Sequence, residues 1–102
     1  MHLVQLFLPL RDNAGSPFPR ALFDQVRAEL VGRFGGVTAF VRSPALGLWE
    51  DGEGDVQRDE VVLLEVMAAQ LDPDWWRVYR EQLERRFRQD EVLVRATAMQ
   101  RL

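Results

Sequence analysis

The chain has 102 residues, a formal net charge of −3 and no cysteine. That length supports one hydrophobic core and not two, and the lack of thiols excludes disulfides and zinc–thiolate sites, as expected in a reducing cytoplasm. All 13 strongly basic residues are arginine, which excludes Schiff-base and lysine-base chemistry, and the acidic balance argues against a binder of phosphate backbone.

The N-terminal run "MHLVQLFLPLRDNAG" has no basic leader and is interrupted by Gln5 and Pro9. It therefore reads as neither signal peptide nor membrane span. Residues 2–10 instead alternate as a strand, with Val4, Leu6 and Leu8 on one side and Leu3, Gln5 and Phe7 on the other. "RDNAGSPFP" is a loop by composition. From Pro19 to Phe34 the period becomes helical, carried by Leu22, Val26 and Leu30, and Gly35-Gly36 ends it.

"VTAFVR", residues 37–42, is a short β-branched and aromatic strand, and "EVVLLEVMA", residues 60–68, is a longer one. A second helix is expected from "DPDWW", with Asp72 as N-cap and Pro73 at the first helical position. Trp75, Tyr79, Leu83 and Phe87 fall at period four and mark its buried stripe, which leaves Trp76 beside it. Glu81 with Arg85 and Glu84 with Arg88 are expected i, i+4 ion pairs. "EVLVRATAMQ", residues 91–100, supplies the last strand.

The order is β-α-β-β-α-β over residues 1–102, one α+β domain. Right-handed crossovers turn it into a ferredoxin-like sandwich, a four-stranded antiparallel sheet with two helices on one face. Alternation gives one uniformly apolar face, including Val4, Leu6, Leu8, Ala39, Leu64, Val66, Ala96 and Ala98, expected to lie under the helices. Its small residues near the end leave room for the tryptophans of the second helix. The other face mixes Leu3, Phe7, Phe40, Leu63, Met67 and Leu93 with Gln5, Thr38, Arg42, Glu65, Arg95 and Thr97. Its projected area of roughly 320 Å² is too apolar for a solvated face. Patches of this kind are covered or functional. Two arrangements follow: a homodimer through this second face, or an open face that binds a flat ligand.

This order with an apolar second face resembles the dimeric α/β-barrel superfamily. More narrowly, "FPRALFDQVRAEL" and "RFGGVTAFVRSPALGLW" with "WWRVYREQLERRFRQDE" resemble a family of small uncharacterised bacterial proteins with no established activity. The superfamily includes cofactor-independent monooxygenases, lactone isomerases and haem enzymes that use the cavity between sheet and partner. The resemblance thus implies a cavity; the chemistry inside has to come from the residues.

Those residues are few. His2 is the only imidazole, so a Ser-His-Asp arrangement would need it beside Ser16 or Ser43, both in loops, and haem lacks its usual ligand. No cofactor and no metal site is expected. The third strand lacks the basic, glycine- and aromatic-rich signature of an RNA-recognition domain, which shares this topology. Small-molecule regulatory domains of the ACT type share it too, though they accompany another domain. In the pocket reading, Gln5, Phe7, Phe40, Arg42, Trp49, Glu65, Met67 and Arg95 bind a small apolar or anionic ligand. Arg42 or Arg95 would hold the anionic or carbonyl group, and Glu65 would serve as acid or base, so that Glu65 and Arg95 are the candidates for catalysis.

"GLWEDGEGD", residues 47–55, resembles a calcium loop at first sight, since Asp51, Glu53 and Asp55 imitate its first, third and fifth ligands. Val56 then stands where glycine is required and Val62 where a bidentate glutamate is required. It reads as a hairpin tip with Trp49 anchored on a dimer seam or over the mouth of a pocket.

Overall fold

The structure, a computed structural model, describes residues 1–42 and 60–102, and the side chains of Val41 and Arg42 stay outside the description. Its elements are β1 (His2–Pro9), α1 (Arg20–Phe34), β2 (Thr38–Arg42), β3 (Val61–Ala68), α2 (Pro73–Arg86) and β4 (Leu93–Ala98). The strands form one sheet in the order β2-β3-β1-β4, antiparallel at every junction. This is the ferredoxin-like α+β sandwich. The expected "GLWEDGEGD" turn and Trp49 lie outside the described residues.

The connection from β1 to α1 is a small hairpin of its own. The Asp12 carboxylate accepts from the Ala14 and Ser16 amides, both at 2.9 Å, and Gly15 takes the positive φ of 87° that closes the turn. Phe18 N–H donating to Leu10 O then turns its ring inward, edge-on to Phe87 at 5.1 Å. Pro19 precedes α1 as its N-cap instead of lying inside it, and Gly35 ends the helix in the left-handed region, donating to Val31 O. Asp72 caps α2, its carboxylate accepting from Trp75 N–H at 3.2 Å.

The core lies between the helices and one face of the sheet. Val4, Leu6, Leu8, Leu64 and Val66 meet Val26, Leu30, Leu83 and Phe87 there, all at 2% exposure or less. Each such aliphatic side chain contributes about 1.5–3 kcal/mol relative to an exposed position.

Several expectations are corrected. Trp76, not Trp75, is the core tryptophan: α2 turns Trp76, Tyr79 and Leu83 inward at i, i+3 and i+7. A three-then-four spacing follows the 3.6-residue turn more closely than the strict fours expected. Trp75 is half-buried, stacked on Tyr79 at 4.9 Å beneath the Arg33 guanidinium at 4.1 Å. Trp76 stacks on Phe34 at 5.2 Å.

The ion pairs also run in the other direction. Glu81 meets Arg77 and Glu84 meets Arg80, one turn before each, in place of Arg85 and Arg88. Glu84 additionally accepts Val92 N–H at 3.0 Å, and this bond first, with Arg80 second, holds its carboxyl below the usual range. Val92 is therefore buried ahead of β4 and not part of it. Finally, the helix-side face is not covered throughout: Ala39 on β2 and Ala96 and Ala98 on β4 stay exposed. These two strands are the sheet's edges, and the helices sit over its middle.

Candidate functional site

Pairing register arranges the second sheet face in rows that cross all four strands. Thr38 lies opposite Glu65, Glu65 opposite Gln5, and Gln5 opposite Arg95. The neighbouring row runs Phe40, Leu63, Phe7, Leu93, and on the other side Met67, Leu3 and Thr97 stand in line. Alternation had placed these residues on one face. Register adds that the polar ones share one row between two largely apolar rows.

That polar row is bonded along its length. Arg95 Nε donates to Gln5 Oε1 at 2.8 Å, and Gln5 Nε2 donates to Glu65 Oε2 at 2.7 Å. The amide of Gln5 is thus oriented from both ends, and its placement links a cation to a carboxylate that do not touch. The Arg95 guanidinium also lies over the Phe7 ring, 4.8 Å from its centroid. Among the described residues no carboxylate comes within ion-pair distance of Arg95.

Six of the expected ligand-binding residues, Gln5, Phe7, Phe40, Glu65, Met67 and Arg95, therefore stand on this face. Arg42 belongs to β2 by backbone, and Trp49 falls outside the described residues. Burial across the face is uneven. Met67 is 47% and Leu93 51% exposed, whereas Leu63, between Phe7 and Phe40 in its row, is only 4% exposed without any described helix above it. The face can hold an apolar group against Phe7 and Phe40 and offer a guanidinium beside it.

The serine–histidine arrangement has no geometric basis among the described residues. His2 begins β1, and Ser16 lies in the turn beyond its other end, so about seven residues of strand, roughly 23 Å, separate them. Among the described residues no group of three or more histidine, aspartate or glutamate side chains gathers as metal ligands. No described helix is long and apolar enough to cross a membrane.

One polar cluster was not foreseen. Glu29 of α1 receives two hydrogen bonds from Arg86 of α2, at 2.5 and 2.9 Å, and a third from the Tyr79 hydroxyl at 2.9 Å. Arg86, foremost, holds the Glu29 carboxyl below its ordinary value, while burial, with Glu29 as acceptor, pushes the Tyr79 hydroxyl up. The sequence signal was available: a tyrosine on a buried stripe needs a hydrogen-bond partner for its hydroxyl, and Glu29 stands one turn from the buried Val26.

No family model matches the chain, and no curated protein matches it. Among solved structures it is similar to a crystal structure of a point mutant of CutA1 from Pyrococcus horikoshii OT3, with a TM-score of 0.57 and 13% identity, covering 100% of this chain and 86% of that one. At that identity the likeness establishes the shared fold.

Proposed function

We propose that two copies of this chain pack their second sheet faces together and hold a small, partly apolar ligand with an anionic or carbonyl group between them. The observation that carries this reading is the ordering of that face: one hydrogen-bonded polar row, Glu65–Gln5–Arg95, flanked by rows containing Phe7, Phe40, Leu63, Met67 and Leu93. Apolar rows favour burial against a second copy. The polar row, bonded along its length within one chain, can enter such an interface with only the Arg95 terminal nitrogens left to satisfy. Arg95 keeps its two terminal nitrogens for the ligand, since among the described residues Gln5 engages only Nε.

In an enzymatic version the site would carry out cofactor-free isomerisation, cyclisation or oxygenation of an aromatic or polyketide-like substrate. Arg95 would then hold the carbonyl oxygen, and Glu65 would accept the proton. A second reading, a module that only dimerises, is favoured by the mutual satisfaction of Glu65, Gln5 and Arg95.

Native mass spectrometry and sedimentation at micromolar concentration test the shared part: a dimer is expected, and a chain that stays monomeric overturns it. The double substitution Met67→Glu, Leu93→Glu, at two half-exposed positions, should yield a folded monomer whose melting temperature is lower than the dimer's and independent of protein concentration. Glu65→Gln and Arg95→Ala then separate the readings. Intact dimers with altered ligand binding support the pocket, whereas lost dimers support the purely structural module.

A further inference from the structure

We propose a second site, on the opposite side of β4 from the sheet face just described: a groove between α2 and β4 that binds a small amphipathic carboxylate. The groove measures about 400 Å³ and is floored by Val4, Val94 and Ala96 and walled by Trp76. That size lies within the range of small-molecule sites, which are apolar with a few convergent polar groups. It exists because of a mismatch between sequence and cover. Ala96 and Ala98 point to the helix layer of an edge strand, yet both remain exposed, so α2 leaves the floor bare where a larger side chain would fill it.

Charge decides the ligand class. Arg77 and Arg80 of α2 give the groove its charge, Arg95 lining it while its guanidinium is engaged on the other face by Gln5 and Phe7, and no lining residue is acidic, in a chain whose acids outnumber its bases 16 to 13. Arg80 is held tightly by Glu84 at 2.8 Å, but Arg77 meets Glu81 only at 3.7 Å in an exposed pair. Exposed pairs of that kind are worth little and exchange readily for another carboxylate. A second copy is a poorer occupant: two-fold pairing of β4 with itself would bring Arg77 and Arg80 towards their own counterparts, like against like. An acid with a short apolar tail places its carboxylate at the Arg77 rim and its tail along Ala96 and Trp76.

The test is an amide and indole NMR titration of the full chain with octanoate, octanamide and octylamine. Octanoate should produce saturable shifts at Val94, Ala96 and the Trp76 indole N–H, and bind about tenfold more tightly than octanamide, the difference one charge-assisted contact supplies. Octylamine should not bind. Ala96→Leu should abolish octanoate binding without lowering the melting temperature, and Arg77→Gln should weaken it about tenfold.

Equal affinity for octanamide overturns the proposal, as does retained affinity in Ala96→Leu. Shifts confined to Gln5 and Phe40, or shifts produced by protein concentration alone, overturn it equally, the last because they would assign the groove to a second copy. The Met67→Glu, Leu93→Glu variant should still bind octanoate, so that failure of the open-face reading and failure of this one are told apart.

Discussion

The two faces of this sheet are built from the same four strands and the same alternation, yet they are buried by different means. On the helix side, Val4, Leu6, Leu8, Leu64 and Val66 are sealed by side chains from α1 and α2. On the other side no described helix lies above the sheet, and still Leu63, between Phe7 and Phe40 in its row, is almost inaccessible. The converse appears at the edges: Ala96 and Ala98 face the helix layer and are exposed, just as Leu93 is on the opposite face. On the helix side, burial depends on two variables, which face a residue occupies and how far its strand lies from the middle of the sheet. Cross-strand pairs supply the second, and alternation reports only the first.

The sharpest way to break the comparison is to truncate one leucine on each side. Leu64→Ala empties a fully buried site and should cost about 2–5 kcal/mol, the transfer loss plus a cavity. Leu93→Ala, half-exposed at an edge of the single chain, should stay within about 0.5 kcal/mol in dilute, monomeric protein and cost more only where a second copy covers it. Urea unfolding measures both. A large loss at Leu93 would mean that its face is already covered in solution, which would bring the two faces closer together.

This contrast explains what the sequence allowed one to read. The fold was legible because hydrophobic period, the Asp72-Pro73 helix start and the Gly35 stop all agree with the βαββαβ order. Which tryptophan of "DPDWW" is core was not, because counting fours along α2 drifts from a 3.6-residue turn and lands on Trp75 instead of Trp76. The composition of the second face was legible from odd and even positions. That Thr38, Glu65, Gln5 and Arg95 share one row was not, because register depends on where the strands meet, and a shift of two residues keeps the face but changes every partner. Arg42 and Trp49 extend the expected site into positions whose side chains lie outside the description.

A middle-sized effect concerns the cover itself. Arg86 and Glu29 tie α2 to α1, and Arg86→Ala should cost about 1 kcal/mol, reduced from a buried pair's worth because both side chains are partly solvated. The Glu29 carboxyl is held below its ordinary 4.5 in the folded chain, so the stability it adds is complete above about pH 4.5 and is lost as pH falls through the lowered folded value. Acid unfolding followed by circular dichroism should therefore be less steep in Glu29→Gln than in the parent below pH 4.5. Tyr79 acts in the opposite sense: its raised hydroxyl adds stability that is present below its ordinary value of 10.0 and declines above it. Unchanged acid steepness in Glu29→Gln would remove the pair from the account of how the helices are held, leaving apolar packing alone.

The smallest effects are expected in the polar row, and they test whether that face behaves as surface or as core. Glu65→Gln keeps an oxygen where Gln5 Nε2 needs an acceptor, so it should change the monomer's unfolding free energy by less than about 0.5 kcal/mol. Gln5→Leu removes both the bond to Glu65 and the bond from Arg95. In an isolated chain water can replace them at these partly exposed groups, and a leucine there adds contact with the apolar rows, so the cost should stay near 0.5–1 kcal/mol. The same substitution in a dimer closed over this face would leave a carboxylate and a guanidinium without the amide that links them, and the cost should rise to about 1–3 kcal/mol. Measuring Gln5→Leu in the Met67→Glu, Leu93→Glu background and in the parent, at equal protein concentration, isolates that difference. A cost that is the same in both backgrounds means that nothing closes over the row; a cost that grows only in the parent means that this face, like its opposite, is an interior.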